Sequence, residues 1–489
     1  MAGQSRPQTG RSTRSAASTI SYNVSASLAR RLLFPHLPPG SDLPPLFLSQ
    51  ACPRELHDEA YDLTALTLRA FVNIWWTKLT RYDKEFLPQI TSILIHVIRS
   101  LEHRLLDADL ALLVFSDIPA LITQHYRDYR QAVSKASTSY AAGGALSLPQ
   151  VFHQLQPHMA ISADGSLDEE YFRQAIDHIL RECLPAEDYA PETERFIVRE
   201  IILKVVTKDV IPRITQPWFL QKMVLDMLGP SPDVLPESSA SSASGHGYSR
   251  LSKSNIIVLL LSAIQKLSGT CIMLIHAYKQ IIYIIPVVNQ TRCLQTRAST
   301  RILNGGDEPV SGTSSPSPAP STISTHAESK HDVVPPDLTR GPLGMISEVL
   351  CVQDRLAATA LVQLVSLFCC SFQTFMNKLL CYLLYSYVLS ASTILSVVRL
   401  SKRTLFPNGY PGPPPVDPTA EEQLVIRDEL VKRIAERVPA LARLVLLGDP
   451  AVSAVEGAVV PLSDKACNRH LAVFLLDALL LSVFPEMGS

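Results

Sequence analysis

Apolar positions in this chain return at intervals of three and four residues, the period of a helix with one buried face. In the stretch 65–76 they fall at Leu66, Ala70, Val72, Ile74 and Trp75. The pattern resumes from Phe86 to Leu106 with Leu87, Ile90, Leu94, Val97, Ile98 and Leu101. It returns from Thr193 to Val210 with Phe196, Ile197, Ile201, Ile202, Val205 and Val206. Pro119, Pro149, Pro185, Pro191 and Pro212 mark turns between these blocks. No run alternates in the manner of a half-buried strand, and no hairpin signal occurs. The predicted class is all-α.

Two stretches exceed an ordinary amphipathic pattern. Leu356–Val398 carries one formal charge, Lys378, and neither Gly nor Pro lies between Met345 and Phe406. A segment without breakers reads as one helix, roughly 65 Å long at 1.5 Å per residue. Each side of Lys378 is also about as long as a bilayer span. Its polar positions Gln363, Ser366, Cys370, Gln373 and Asn377 follow one face in the first half. The second stretch, Ile256–Ile285, is stopped by Pro286. Ser262, Gln265, Lys266, Thr270, His276, Lys279 and Gln280 give it a thin polar edge. As a single span it would bury a lysine in hydrocarbon at about 2.5–3.5 kcal/mol.

These patterns divide the chain as follows. Residues 1–50 form an Arg/Ser/Pro-rich disordered tail with no acid before Asp42. That composition favours anionic lipid and also fits a transit peptide. Residues 51–230 are a helical domain, 231–254 a Ser-rich linker and 255–300 a long apolar helix. Residues 301–342 are a disordered Ser/Pro-rich insertion. Residues 343–406 are the second long apolar helix, and 407–489 a C-terminal helical region with helices at Ala420–Leu447 and Asn468–Phe484.

Composition sharpens this picture. The chain of 489 residues is 47% apolar and only 18% charged, so its surplus apolar surface needs a core, a cavity, a partner or a membrane. A net charge of −1 argues against binding nucleic acid through phosphate neutralisation. Nine cysteines without a CxxC pair suit a reduced compartment. No apolar signal-peptide core follows the first Met.

Against this background the residues resemble a known family. The run LTALTLRAFVNIWWTKLTRYDKEFLPQITSILIHVIRSLEHRL (63–105) is similar to the start of a PXA domain, the PX-associated helical domain of sorting-nexin relatives. The likeness continues through LLVFSDIPALITQHYRDYRQA (112–132) and the block from Tyr171 to Leu228. Residues 405–423 and 468–487 are similar to a nexin-C domain. No PX or RGS segment is visible, so the chain resembles the reduced fungal-type members, and phosphoinositide recognition is not carried over. The resemblance implies that the PXA and nexin-C regions associate into one helical groove or tunnel for lipid. It implies work at the cytosolic face of endomembranes: the endoplasmic reticulum, endosome or vacuole, Golgi, or lipid-droplet contacts. The implied partners are membrane lipids, the membrane surface and organelle-tethering proteins.

Candidate chemistry is sparse. His57 and Asp62 have the HxxxxD spacing of glycerolipid acyltransferases, but no companion Gly-rich motif occurs, so the pair reads as a solvated helix edge. Cys369–Cys370 reads as packing rather than an acylation site. Trp75–Trp76 reads as core, with interfacial anchoring as the second reading. No nucleophile elbow, phosphate loop, dinucleotide motif or zinc-spaced Cys/His set is present. The expectation is a non-enzyme without cofactor or metal. Acyl chains would be lined by Ile257, Leu260, Ile264 and Ile275 on one long helix. Leu361, Leu364, Phe368, Phe372, Phe375, Leu379, Leu380 and Leu383 would line them on the other. A hairpin-inserted membrane tether and a soluble trafficking scaffold are the competing readings.

Overall fold

The computed structural model describes residues 27–38, 41–49, 52–80, 82–138, 145–229, 336–413 and 416–488, with Lys279 and Ile285–Val288. Every main element among them is a helix; β-structure is limited to isolated bridges around Ile161. The chain folds as two units. One holds the residues up to Ser92 together with Val398–Gly412, and the other holds Ile93–Val397 and Pro413–Ser489.

The first unit is built on α1 (Leu28–Leu33) and α2 (Arg54–Leu68), which continues through a π turn at Arg69–Asn73 into α3 (Ile74–Leu79). Ala29, Leu33, Leu46, Leu56, Tyr61, Ala65 and Phe406 are buried in it. Residues 27–49 therefore belong to a packed unit, which corrects their assignment to a tail; residues 1–26 lie outside the described residues. The tie is polar as well as apolar. Tyr61 OH donates to the Pro44 carbonyl at 3.0 Å, and Ser27 caps α1 at the Arg30 amide. Residues 398–412 join through Arg399, which reaches Glu55 at 3.0 Å and Glu59 at 3.1 Å, and through Lys402, also on Glu59. These cations hold the Glu59 carboxyl below its usual range, the Lys402 hydrogen bond contributing most. Gly409 sits at φ +73°, where a side chain would be strained, and its carbonyl accepts from Arg69.

The second unit contains α5 (Ile118–Ala136), α6 (Leu148–Leu155), α7 (Glu169–Cys183), α8 (Glu192–Lys204) and α9 (Pro217–Leu228). It also contains α10 (Arg340–Val349), α11 (Leu356–Ser371) and α12 (Gln373–Leu383). Then come α14 (Ala420–Arg437), α15 (Ala440–Leu446), α16 (Ala451–Val459) and α17 (Lys465–Val483). Two helices, α4 (Phe86–Asp107) and α13 (Ala391–Leu405), carry residues of both units. The Ser147/Gln150 and Thr419/Glu422 capping boxes start α6 and α14; α14 begins at Ala420 as expected, whereas Pro149, expected to mark a turn, lies in the first turn of α6. Pro439 separates α14 from α15, so the single helix expected over Ala420–Leu447 is two.

α17 contributes a buried residue to each of three core clusters of the second unit. Its Val473 joins Phe172, Ile176, Leu203 and Ile211 in one core cluster. Its Cys467 joins Tyr129, Val151 and Phe152 in another, and Val483 meets Cys183 in a third. A separate cluster sets Leu225 of α9 against Leu430 and Val431 of α14 and Val455 of α16. There Arg433 donates to the Gly229 carbonyl at 2.5 Å, and Arg437 donates to that of Leu228. Both satisfy carbonyls at the end of α9, where cations are favoured.

The long helix expected over 343–406 is divided. Phe372 leaves helical geometry at φ −115°, ψ 27°, and a second break lies at Leu389–Ser390, after a π turn at Leu384–Val388. Neither break uses Gly or Pro. The Ser371 hydroxyl donates to the Leu367 carbonyl at 2.8 Å, a back-bond that bends helices. The Ser390 hydroxyl accepts from the Thr393 amide at 3.3 Å and so caps α13. Each apolar piece is then about 16 residues, roughly 24 Å, shorter than a hydrocarbon core.

Candidate functional site

The outer surface of α11 and α12 is apolar. Leu364 is 65% exposed and Phe368 56% exposed, with Leu356, Val365, Leu367 and Phe372 also exposed. The Phe368 and Phe372 rings meet at 5.0 Å across the Ser371 break, which keeps the face continuous. Of the expected lining residues, Leu364, Phe368, Phe372 and Leu383 are exposed, and Leu361, Phe375, Leu379 and Leu380 are half-buried. Leu380 turns inward onto the cluster of Ala111, Leu338, Cys381 and Leu384. Ile257, Leu260, Ile264 and Ile275 lie outside the described residues, as does His276.

The polar positions of this stretch serve backbone. Asn377 accepts from the Leu338 amide at 3.1 Å and donates to the Pro336 carbonyl at 2.8 Å. Its side chain thus acts as a strand partner for residues 336–338, a role that helical spacing does not signal. Gln363 is exposed, Cys369 half-buried and Cys370 exposed.

α17 is held by side chains from the N-terminal half of the chain. His158 Nε2 donates to Asp477 at 2.7 Å while its Nδ1 accepts the Ala160 amide at 3.1 Å, so its tautomer is fixed. Tyr171 OH donates to the other Asp477 oxygen at 2.9 Å. His470 Nδ1 donates to the Ala466 carbonyl at 3.1 Å, leaving Nε2 to accept from His153 Nδ1 at 3.2 Å. Asn468 donates to the carbonyls of Thr215 and Leu462, and Arg469 to that of Gly165. His125 Nε2 donates to the Pro461 carbonyl at 3.3 Å. Burial lowers the pKa of both His125 and His470 to about 4. Asp477→Ala is expected to cost about 2 kcal/mol, because it strips two donors of their acceptor at a site where water has some access. Thermal unfolding of Asp477→Ala beside Asp477→Asn measures this; equal stability of the alanine variant and the native chain would refute it.

The N-terminal of the regions joined in this way has counterparts elsewhere. The family model of the PXA domain matches residues 53–227, close to the 51–230 stretch expected. The chain carries a PXA domain. PXA domain protein 1 of Schizosaccharomyces pombe is 27% identical over 143 residues, 29% of this chain and 28% of that protein. Sorting nexin-25 of Homo sapiens is 23% identical over 179 residues, 36% of this chain and 18% of that protein. The chain therefore spans less than a third of the length of either relative. No solved structure matches it.

In the second unit, the PXA residues from α5 to α9 supply the surface against which α17 lies. The association expected between the PXA region and the C-terminal region is thus a packed contact, made by His125, His153, His158, Tyr171 and the Thr215 carbonyl. Three polar side chains of α17, Asn468, His470 and Asp477, find partners among the PXA residues.

Other polar groupings among the described residues are paired internally. His57 and Asp62 of the PXA domain have separate partners: His57 Nδ1 accepts the Leu46 amide at 3.0 Å, and Asp62 lies 3.7 Å from Lys402. His178, Glu182 and Glu486 converge, but Arg104 already pairs Glu182 at 2.9 Å and also Glu486, which opposes a cation there. A groove of about 240 Å³ between α7 and α8 is lined by Glu170, Arg173, Asp177 and Arg199. Its arginines are engaged by Glu170, Glu200 and Asp177.

Proposed function

We propose that this chain is a lipid-binding and lipid-transfer protein of endomembrane trafficking, in which the PXA domain holds the apolar α11–α12 face in place for acyl chains. The observation that carries this reading is that face: Leu364, Leu367, Phe368 and Phe372 stand exposed, whereas α17 places Cys467, Val473 and Val483 in three core clusters. Contacts of this kind are non-covalent, worth roughly 0.8 kcal/mol per buried CH₂. The kinship with a sorting nexin and with a PXA domain protein supports the coarser part of the reading, a role at endomembranes. No catalytic step belongs to it.

The test uses the purified full chain, with mass spectrometry of co-purifying lipid and a liposome-to-liposome transfer assay. Leu364→Glu with Phe368→Glu is expected to cut bound lipid and transfer at least about tenfold with little loss of stability, since both side chains are exposed. A chain that carries no lipid and moves none between liposomes refutes the proposal.

A second reading, insertion as a membrane tether, draws on Gln373–Leu405. This stretch of 33 residues is long and apolar enough to cross a bilayer, and only 11% of its most apolar window is buried. Against it stand the break at Leu389–Ser390 and the inward-turned Leu380, Cys381 and Leu384. Carbonate extraction separates the two: release into the soluble fraction eliminates the tether, and retention in the pellet eliminates the soluble carrier.

A further inference from the structure

We propose that the end of the first unit formed by α3 and the turn into α4 is a docking surface for an anionic bilayer, distinct from the α11–α12 face. Phe71, Ile74, Trp75, Lys78 and Leu79 recur at three- and four-residue spacing and so share one face. Leu79 is 71% exposed, Trp75 45% and Tyr82, in the turn, 94%. Beneath them Trp76 stacks on Phe86 with ring centroids 3.7 Å apart, and Trp75 meets Phe86 edge-on at 6.1 Å. The tip is therefore a rigid aromatic knob rather than a frayed end. One tryptophan of the pair packs and the other faces out.

The charges around the tip are sorted by direction. Asp83 accepts from the amides of Glu85 and Phe86 at 2.8 and 3.2 Å, so its carboxylate is turned onto the start of α4. Glu85 lies against His36 at 3.4 Å. Among the described residues Lys78 and Lys84 are exposed with no carboxylate partner. Outward apolar and aromatic side chains ringed by free cations match the layered chemistry of an anionic bilayer. Trp and Tyr rings favour the headgroup level, lysine stems lie along apolar surface with their ammonium groups in water, and anionic headgroups attract the lysines. This surface does not rest on the acyl-carrier reading, because none of its residues belongs to α11 or α12.

The full chain is mixed with vesicles of phosphatidylcholine alone and with vesicles containing 30 mol% phosphatidylserine, each with and without brominated acyl chains. Its tryptophan emission is then followed. On phosphatidylserine vesicles the emission is expected to shift to the blue and be quenched by bromine, and Trp75→Phe removes most of the quenched component. Lys78→Gln with Lys84→Gln, both exposed and without effect on folding, is expected to weaken this quenching partition roughly thirtyfold. Vesicle-bound protein whose tryptophans stay unquenched would overturn the docking surface while leaving lipid carriage by α11–α12 intact. Emission unchanged with every vesicle overturns it as well and turns the face over to a protein partner. Equal quenching on the two vesicle types overturns the role given to the lysines.

Discussion

Gly341→Ala is expected to destabilise the second unit by more than about 3 kcal/mol, although the same change in an isolated helix would stabilise it by roughly 0.5–1 kcal/mol. Gly341 lies in the first turn of α10, where that helix runs onto the start of α5. A Cβ at this position would stand 2.2 Å from the Phe115 carbonyl oxygen and 3.4 Å from Pro119 Cβ. The obstacle is backbone, which cannot rotate away, so α10 would have to retreat by about 1 Å. That movement would strain the bonds locking its far end. Arg130 donates to the Glu348 carbonyl at 2.6 Å and the Val349 carbonyl at 3.1 Å, and pairs the Glu348 carboxylate at 2.9 Å. It would also disturb Leu338, which is buried with Ala111 and Leu384 under α12. Gly344→Ala on the same helix is the control, because nothing lies within 4 Å of its added carbon. Thermal unfolding should place Gly341→Ala roughly 6–12 °C below the native chain and Gly344→Ala at or slightly above it. Equal midpoints for the two variants would falsify the close approach of α10 and α5.

Acidification from pH 7 to pH 5 should release α17 from the PXA residues. His125 and His470 are buried as neutral rings, which lowers their pKa to about 4 from the usual histidine value of about 6.5. Between those values the unfolded chain binds more protons than the folded one, so stability falls as pH falls. The loss begins near pH 6.5 and levels off below about pH 4. Each histidine accounts for about 2 kcal/mol by pH 5. Carboxylates such as Glu59 and Glu486, held below 4.5 by hydrogen bonds and cations, lose their contribution only at lower pH. The interval from pH 7 to 5 therefore isolates the histidines. Urea midpoints measured across it should drop steeply for the native chain and less steeply for His125→Gln with His470→Gln. A midpoint that does not move over this interval is incompatible with buried neutral rings at these positions.

Whether a helix forms was largely readable from the spacing of apolar residues and from caps such as Thr419/Glu422, because both are local properties. Where the apolar stretch 356–398 breaks was harder to read. A search for Gly and Pro finds nothing there, yet Ser371 and Ser390 end helical runs by bonding their hydroxyls to nearby backbone. The hydroxyls stand in the sequence, but their effect depends on which carbonyl or amide each one reaches. Asn377 is a similar case: its periodicity suggested a wet helix face, and its amide instead holds the chain at Pro336–Leu338. The Trp75–Trp76 pair divides between packing and exposure, although one reading was expected to serve both.

By itself the sequence determined the all-α class, the PXA stretch and the surplus of apolar surface. Only the tertiary structure decided what each apolar helix does with that surface. Two C-terminal stretches are long and apolar enough to cross a bilayer and have nearly equal mean hydropathy, 1.6 for Gln373–Leu405 and 1.5 for Lys465–Val483. In α17 the polar groups Asn468, His470 and Asp477 meet donors and acceptors brought from the distant PXA residues, and Cys467, Val473 and Val483 are buried beside them. In Gln373–Leu405 the apolar side chains Leu383, Val388 and Val397 meet no such surface among the described residues and stand exposed. Periodicity reports which face of a helix is apolar, whereas burial depends on what the rest of the chain brings to that face.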